Sequence, residues 1–345
     1  MKLHNYCKSV KYVNRKTVSY KYLRNRFAST YSYYRGKSVT AGFPTKLHIE
    51  LTNKCNLNCV MCPRSYMKRK KGMMDFATFK KIIDESSGKL EFTYLHLFGE
   101  SLLHPDLFKM IEYCKDADIF TGLATNATIL DEIKSQKIID SGLDFLVISF
   151  DGTSKETYEM IRRGGSFEQT RENIVTFLDI RSSRPHTVIQ MIYMKGTEDK
   201  VEEYVRSWNS YNVDGIRVKP LQTWSGEIES ISTLSATSYN IKLQLAKPCD
   251  RLWRHLCILW DGTVVPCEFD FDKIYPLGNV KNESLSEIWN GERIINLRKM
   301  HLAGKRSDID LCKSCTYSAP STLENLAMVA LDTLMTTKLI SDLDN

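Results

Sequence analysis

Between Lys46 and Pro220 the apolar residues of this chain fall into two alternating rhythms. Stretches with a period of two, the strand signal, occur at 46–52, 94–98, 119–125, 144–149, 187–193 and 215–219. Between them lie stretches of helical period, such as 75–86, where Phe76, Phe79, Ile82 and Ile83 share one face. Six strands in about 175 residues make roughly one βαβ repeat per 30 residues, and a complete eight-stranded barrel needs about 250. The pattern therefore predicts an α/β fold, a partial (β/α)6 TIM-like barrel.

Strand parity refines that expectation. Leu47, Ile49 and Leu51 alternate with His48, Glu50 and Thr52. Tyr94, His96, Phe98 and Glu100 share a face, as do Val147, Ser149 and Asp151. A parallel strand covered on both sides is apolar throughout. Alternation therefore predicts one face turned toward a polar lumen or substrate pocket, with Glu50 and His96 on its wall.

Past Pro220 the pattern changes. Residues 221–247 are rich in Ser, Thr and Gln and read as a linker, and 248–320 hold five of the ten cysteines. There Ile258–Trp260 and Val264–Cys267 flank Asp261-Gly262, a two-residue hairpin signal. A possible capping box at Ser321–Glu324 opens a tail whose Leu323, Leu326, Ala327, Ala330, Leu331 and Leu334 recur at helical spacing. The expected organisation is an N-terminal extension (1–44), the barrel (45–220), a linker (221–247), a cysteine-rich domain (248–320) and an amphipathic helix (321–345).

Composition narrows the class. Apolar residues make up 42% and charged residues 26%, as in globular proteins that bury a core. No apolar run approaches the roughly 18 residues of a spanning helix, and the first residues hold no apolar signal core. Clustered cysteines in such a chain point to metal or redox chemistry in the cytoplasm rather than to disulfides. The net charge of +7 is local. Residues 1–40 carry ten Lys or Arg, no acid and seven of the 17 tyrosines, whereas the remaining chain has 38 basic and 41 acidic residues. That arm suits either an anionic membrane surface or, as favoured here, a helical extension packed along the barrel; no DNA partner is expected.

The chemistry concentrates in two cysteine groups. Cys55, Cys59 and Cys62 have the spacing Cys-x3-Cys-x2-Cys directly after the first strand. Three thiolates on one loop can hold three irons of a cubane and leave the fourth open, the property that separates a catalytic metal centre from a structural one. Zinc would require a fourth Cys or His nearby. Cys249, Cys267, Cys312 and Cys315 form the second group, Cys-x17-Cys-x44-Cys-x2-Cys, and on spacing alone these four suit a zinc ribbon as well as an iron–sulfur cluster. Cys114 and Cys257 read as small buried hydrophobes, and Cys7 receives no role.

The segment Ile49-Glu-Leu-Thr-Asn-Lys-Cys-Asn-Leu-Asn-Cys-Val-Met-Cys-Pro-Arg64 resembles the signature loop of the radical S-adenosylmethionine (radical SAM) superfamily. The family often has an aromatic residue before the third cysteine, where this chain has Met61. The resemblance implies a catalytic [4Fe–4S] cluster on Cys55, Cys59 and Cys62 whose open iron chelates SAM. One electron then splits SAM to methionine and a 5′-deoxyadenosyl radical that abstracts a substrate hydrogen. Phe98-Gly99-Glu100-Ser101 is similar to the family's Gly-Gly-Glu, which grips the methionine amino group, though the first glycine is replaced. Asn126, Ser149, Asp151 and Arg162 match further SAM-contact positions. The C-terminal cysteines, with Trp260–Cys267, Leu277-Gly-Asn and Glu287–Gly291, resemble a SPASM domain in its shortened Twitch form. That resemblance implies an auxiliary [4Fe–4S] cluster on Cys249, Cys267, Cys312 and Cys315.

The resulting expectation is an oxidoreductase that takes a hydrogen from a polar sugar- or cyclitol-like substrate and passes the second electron to the auxiliary cluster. Glu50, His96 and Gln190 are candidates for the proton transfer, and a flavodoxin or ferredoxin would supply the first electron. Two alternatives remain: a maturase acting on a peptide or protein, and a non-catalytic zinc or iron–sulfur scaffold.

Overall fold

The computed structural model describes residues 20–90 and 92–317. The basic segment 1–19 with Cys7, and the tail helix expected over 321–345, lie outside the described residues. Strands β1 (Lys46–Ile49), β2 (Phe92–Tyr94), β3 (Thr121–Thr125), β4 (Phe145–Ser149), β5 (His186–Tyr193) and β6 (Gly215–Pro220) pair in parallel in chain order. The N-terminal arm contributes α1 (Tyr20–Tyr34). The crossovers are α2 (Phe76–Ser86), α3 (Leu107–Asp116), α4 (Glu132–Asp140), α5 (Lys155–Ile161) with α6 (Phe167–Ile180), and α7 (Val201–Asn209). This is the partial barrel, open at β6.

Each crossover helix forms for a local reason and is held by a tertiary one. At α2, the Asp75 carboxylate accepts from the Thr78 amide at 2.7 Å, an N-cap that contributes about 1 kcal/mol. Its stripe of Phe79, Ile82 and Ile83 is no more than 1% exposed, each side chain contributing about 1.5–3 kcal/mol. Those side chains join Leu47, Ile49, Leu123, Leu146, Ile148, Ile189 and Ile216 in the layer between sheet and helices. The opposite strand face looks inward. At its lower end Phe92, Tyr94, Phe120, Phe145 and Val147 form an aromatic plug. Above the plug the lumen is polar, as the alternation implies.

The cysteine-rich region does not fold apart from the barrel sheet. Strand β7 (His255–Ile258) pairs in parallel with β1, and β8 (Thr263–Val265) and β9 (Gly278–Asn279) add antiparallel, giving the order β6-β5-β4-β3-β2-β1-β7-β8-β9. The β7–β8 hairpin forms, with a three-residue loop Trp260-Asp261-Gly262, one residue longer than the two-residue turn expected, because Leu259 pairs with Thr263. Short helices α8 (Glu229–Ser232) and α9 (Ile241–Leu245) lie in the segment read as a linker, and α10 (Leu285–Trp289) and α11 (Glu292–Leu302) cover the far end. The linker segment is packed: Leu221, Ile228 and Ile231 are buried with Met61, Leu97 and Phe98 over the mouth of the barrel. Along α1, Asn25 bonds to the carbonyls of Phe43 and Lys89, and the Tyr33 ring meets Trp253, while Lys21 and Arg24 face solvent. Among the described residues no helix is long and apolar enough to cross a membrane.

Candidate functional site

The cysteine loop leaves β1 and is fixed from two sides. The amides of Asn58 and Val60 donate to the carbonyls of Arg163 and Ile161 beyond α5, at 2.9 and 3.0 Å. From the β2 side Gly99 comes close, with φ of +80°. A Cβ there would lie 2.3 Å from the Thr52 carbonyl oxygen and 2.7 Å from that of Lys54, so glycine alone permits the approach. The next amide, Glu100 N–H, donates to Lys54 O at 2.9 Å. The Glu100 carboxylate is buried and accepts from Thr125 Oγ1 at 2.9 Å, Asn126 N–H at 2.7 Å and Leu102 N–H at 3.1 Å. Burial raises its pKa, opposed by those amide bonds. Glu100 thus ties the end of β3 to the cysteine loop.

Asn126 donates to Asn56 Oδ1 at 3.1 Å and lies 3.8 Å from Cys55 Sγ. Across the loop, Arg162 donates through Nε to Asp151 Oδ2 at 2.6 Å and lies 3.7 Å from Cys59 Sγ. The other Asp151 oxygen accepts from the Ile192 amide. Ser149, partly exposed to the lumen, stands beside Gln190 in register. Five of the six residues matched to SAM contacts, Gly99 and Glu100 at the end of β2, Asn126 after β3, and Asp151 and Arg162 after β4, therefore border the cysteine loop. Ser149 stands two residues before Asp151 on the lumenal face of β4.

The three proton-transfer candidates separate. Glu50, fully buried, is clasped by both terminal nitrogens of Arg69 and accepts the Trp260 amide at 3.3 Å. That closed pair makes it a brace and takes it out of the candidates. Gln190 carries an amide, which neither gains nor loses a proton, so its contribution is hydrogen bonding. His96 remains. Its Nδ1 is buried without a hydrogen-bond partner. Burial, with the charges of Lys219 and Arg162, holds its pKa near 4, so the imidazole is neutral at ordinary pH and a correspondingly weak base.

On the β1–β7 side, His48, His255 and Cys257 bring their ligating atoms within 4.8 Å of one another, His255 Nε2 lying 3.1 Å from Cys257 Sγ. Cys257 is buried, as expected, among Met61, Leu97, Phe98 and Val265, and its sulfur also lies against His255. Beside it, Glu268 pairs with Arg251 at 2.6 Å. Although burial opposes this, the positive charge of Arg251 holds the Glu268 carboxyl down at about 2. Neither residue of this pair was singled out in the sequence, although each follows a C-terminal cysteine within two positions.

Cys249, Cys267, Cys312 and Cys315 line one cavity, walled further by Leu252, Phe269, Leu297 and Leu311. Its placement follows from the fold: β8 leads to Cys267, and the chain after α11 turns at Cys312 and Cys315. Burial pushes the thiols of Cys62, Cys249 and Cys312 up to about 12, so a metal must displace their protons on binding. Four thiols around one largely apolar cavity suit the ligand set of a [4Fe–4S] cluster as well as that of a zinc ion.

Comparison with known proteins agrees. The radical SAM superfamily profile matches residues 49–207, and an iron–sulfur cluster-binding domain profile, SPASM, matches 249–316, together about two thirds of the chain. The chain belongs to the radical SAM superfamily. It is an enzyme of that family with a C-terminal SPASM domain, and its cofactors are SAM and [4Fe–4S] clusters. The tungsten-containing aldehyde ferredoxin oxidoreductase cofactor-modifying protein of Pyrococcus furiosus is 24% identical over 315 residues, covering 79% of this chain and 88% of the relative. The S-adenosyl-L-methionine-dependent 2-deoxy-scyllo-inosamine dehydrogenase of Niallia circulans is 23% identical over 300 residues, covering 81% and 95%. The crystal structure of Streptococcus suis SuiB bound to precursor peptide SuiA superposes with a TM-score of 0.63 at 14% identity, over 79% of this chain and 70% of that one.

Proposed function

We propose that this radical SAM enzyme is a cytoplasmic two-electron dehydrogenase of a polar, sugar- or cyclitol-like small molecule. Cys55, Cys59 and Cys62 would hold the catalytic cluster, and Cys249, Cys267, Cys312 and Cys315 an auxiliary one. One observation supports the reading: four cysteines line one cavity that also takes in Arg251 of the Arg251–Glu268 pair, so they could supply every protein ligand of a second cluster. A fully ligated cluster suits electron transfer, not substrate coordination. The 2-deoxy-scyllo-inosamine dehydrogenase relative supports oxidation of an alcohol carbon.

When bound, SAM supplies the 5′-deoxyadenosyl radical that takes a hydrogen atom from the substrate. The chain's own residues position and neutralise. Gly99 and Glu100 hold the loop against β3, Asp151 holds Arg162 in position to meet the methionine carboxylate, and Asn126 and Ser149 offer hydrogen bonds to the nucleoside. His96 Nδ1 receives the proton released as the substrate is oxidised. Outside the barrel, the recess beside Cys55 is lined by Arg64, Lys71 and Arg163, a basic surface suited to an acidic one-electron donor such as flavodoxin or ferredoxin.

Anaerobic reconstitution tests this reading. The expected protein is brown, binds about eight irons per chain and forms 5′-deoxyadenosine from SAM and reductant. Deuterium then passes from a labelled substrate carbon into that product. A Cys59→Ala variant that still cleaves SAM refutes the loop assignment. Turnover of a peptide in place of any cyclitol refutes the substrate class.

A further inference from the structure

The lumen holds five cations with unequal partners. Arg69 is closed by Glu50, Arg162 by Asp151 and Arg251 by Glu268. Arg217 and Lys219, on β6, have neither a carboxylate within ion-pair distance nor a hydrogen-bond partner among the described residues. Strand parity aims both inward: Ile216 and Val218 join the apolar layer, while Arg217 stands beside Gln190 and Lys219 beside Ile192. Arg217 Nε is buried and unpartnered. Lys219 is exposed to solvent although protein atoms crowd around it. Burial and the charges of Arg217 and Arg251 lower its pKa, with Glu268 opposing them. The histidines nearby are neutral and supply no counter-charge.

Two neighbouring cations with no counter-charge beside them repel one another, and an arriving anion relieves that repulsion. An Arg fork beside a Lys point charge is a combination suited to an oxyanion. We propose that Arg217 and Lys219 form an oxyanion subsite, and that the substrate carries a carboxylate or phosphate that docks on β6. This rests on the enzyme reading above and deepens it. A substrate with a free ammonium group at this position meets like charge and is disfavoured. The subsite fixes one end of the substrate, leaving its reacting carbon toward the cysteine loop and His96.

The test uses reconstituted full-length protein with SAM present and no reductant, titrated calorimetrically with inorganic phosphate and separately with acetate. Saturable binding of at least one anion is expected, weakened at least tenfold in Arg217→Gln and in Lys219→Met, and restored in Lys219→Arg. Iron content confirms that each variant is folded. Tighter phosphate binding assigns a phosphate ester, and tighter acetate binding assigns a carboxylate. Absence of saturable binding, or variants that bind as wild type, overturns the proposal. Formation of 5′-deoxyadenosine by wild type, measured separately, tells whether the enzyme reading has failed instead.

Discussion

Gly99→Ala tests whether the β2 end holds the catalytic loop in place. The new methyl would lie 2.3 Å from Thr52 O, 2.7 Å from Lys54 O and 2.9 Å from Asn53 Cα, all backbone atoms without rotamers to change. A φ of +80° adds about 1–2 kcal/mol for any L-residue. Overpacking adds about 1–3 kcal/mol more, so the expected loss of stability is about 2–5 kcal/mol. Gly304→Ala is the control, because its φ is +73° and a Cβ there meets nothing within 4 Å. It should lose only about 1–2 kcal/mol, the conformational part alone. If the loop yields instead, Thr52–Lys54 retreat and carry Cys55 with them, and a shift of about 1 Å near reacting groups can cost about 100-fold in rate. Denaturant unfolding gives the first quantity, and 5′-deoxyadenosine formation with iron content gives the second. Equal stability of the two variants, together with wild-type SAM cleavage by Gly99→Ala, would refute the reasoning.

Three further outcomes are expected. Arg69→Met leaves the carboxylate of Glu50, at 0% exposure, without its partner, and should cost about 3–5 kcal/mol in urea unfolding; a loss below about 1 kcal/mol contradicts the brace. Folded His96 titrates near 4 and its unfolded counterpart near 6.5, so as pH falls the unfolded chain takes up the proton first. The stability this residue contributes is present above about pH 6.5 and is lost toward pH 4, about 2 kcal/mol of it between pH 7 and 5. In His96→Gln that part of the pH slope should vanish, and unfolding curves that decline in parallel for variant and wild type would disprove it. Cys312→Ala should lower bound iron by about four atoms per chain, counted by iron analysis, and unchanged iron would remove Cys312 from the auxiliary site.

The sequence made the barrel and both cysteine groups legible because their signals are local. Alternation placed β1, β4 and β5 within about three residues of their ends, and the Cys-x3-Cys-x2-Cys spacing needs no fold to be seen. β2 was drawn two residues late because Thr93, fully buried and pointing into the apolar layer, looks polar in a pattern search. The segment 221–247 reads as a linker for a similar reason: its few apolar anchors, Leu221, Ile228 and Ile231, follow no period and are buried only by meeting Met61 and Phe98 from elsewhere. Pairing of β7 with β1 joins residues more than 200 positions apart, and nothing local encodes it. The same holds for Arg69, whose role appears only once Glu50 is found beside it. Arg217 and Lys219 were visible in principle, since they alternate with Ile216 and Val218 on a strand already recognised.

That non-local pairing has a chemical consequence. Because β7 extends the sheet beside β1, the strand that carries the catalytic loop also positions the hairpin that delivers Cys267. The spacing between the two cysteine groups is set by hydrogen-bonded ladder rather than by a hinge. Trp224, in the segment between them, reinforces this: its indole N–H donates to Met61 O at 3.0 Å, next to Cys62. The same ring lies 5.6 Å from Phe98 and 6.0 Å from Phe269, a wall residue of the second cavity. One aromatic side chain thus meets a neighbour of each cysteine group. Under the proposed function, a substrate held against β6 would face the catalytic loop and the Arg251–Glu268 pair beside the auxiliary site together. A one-electron oxidation followed by a second electron transfer requires both to be within reach of the same bound molecule, and a rigid shared sheet meets that requirement where two tethered domains would not.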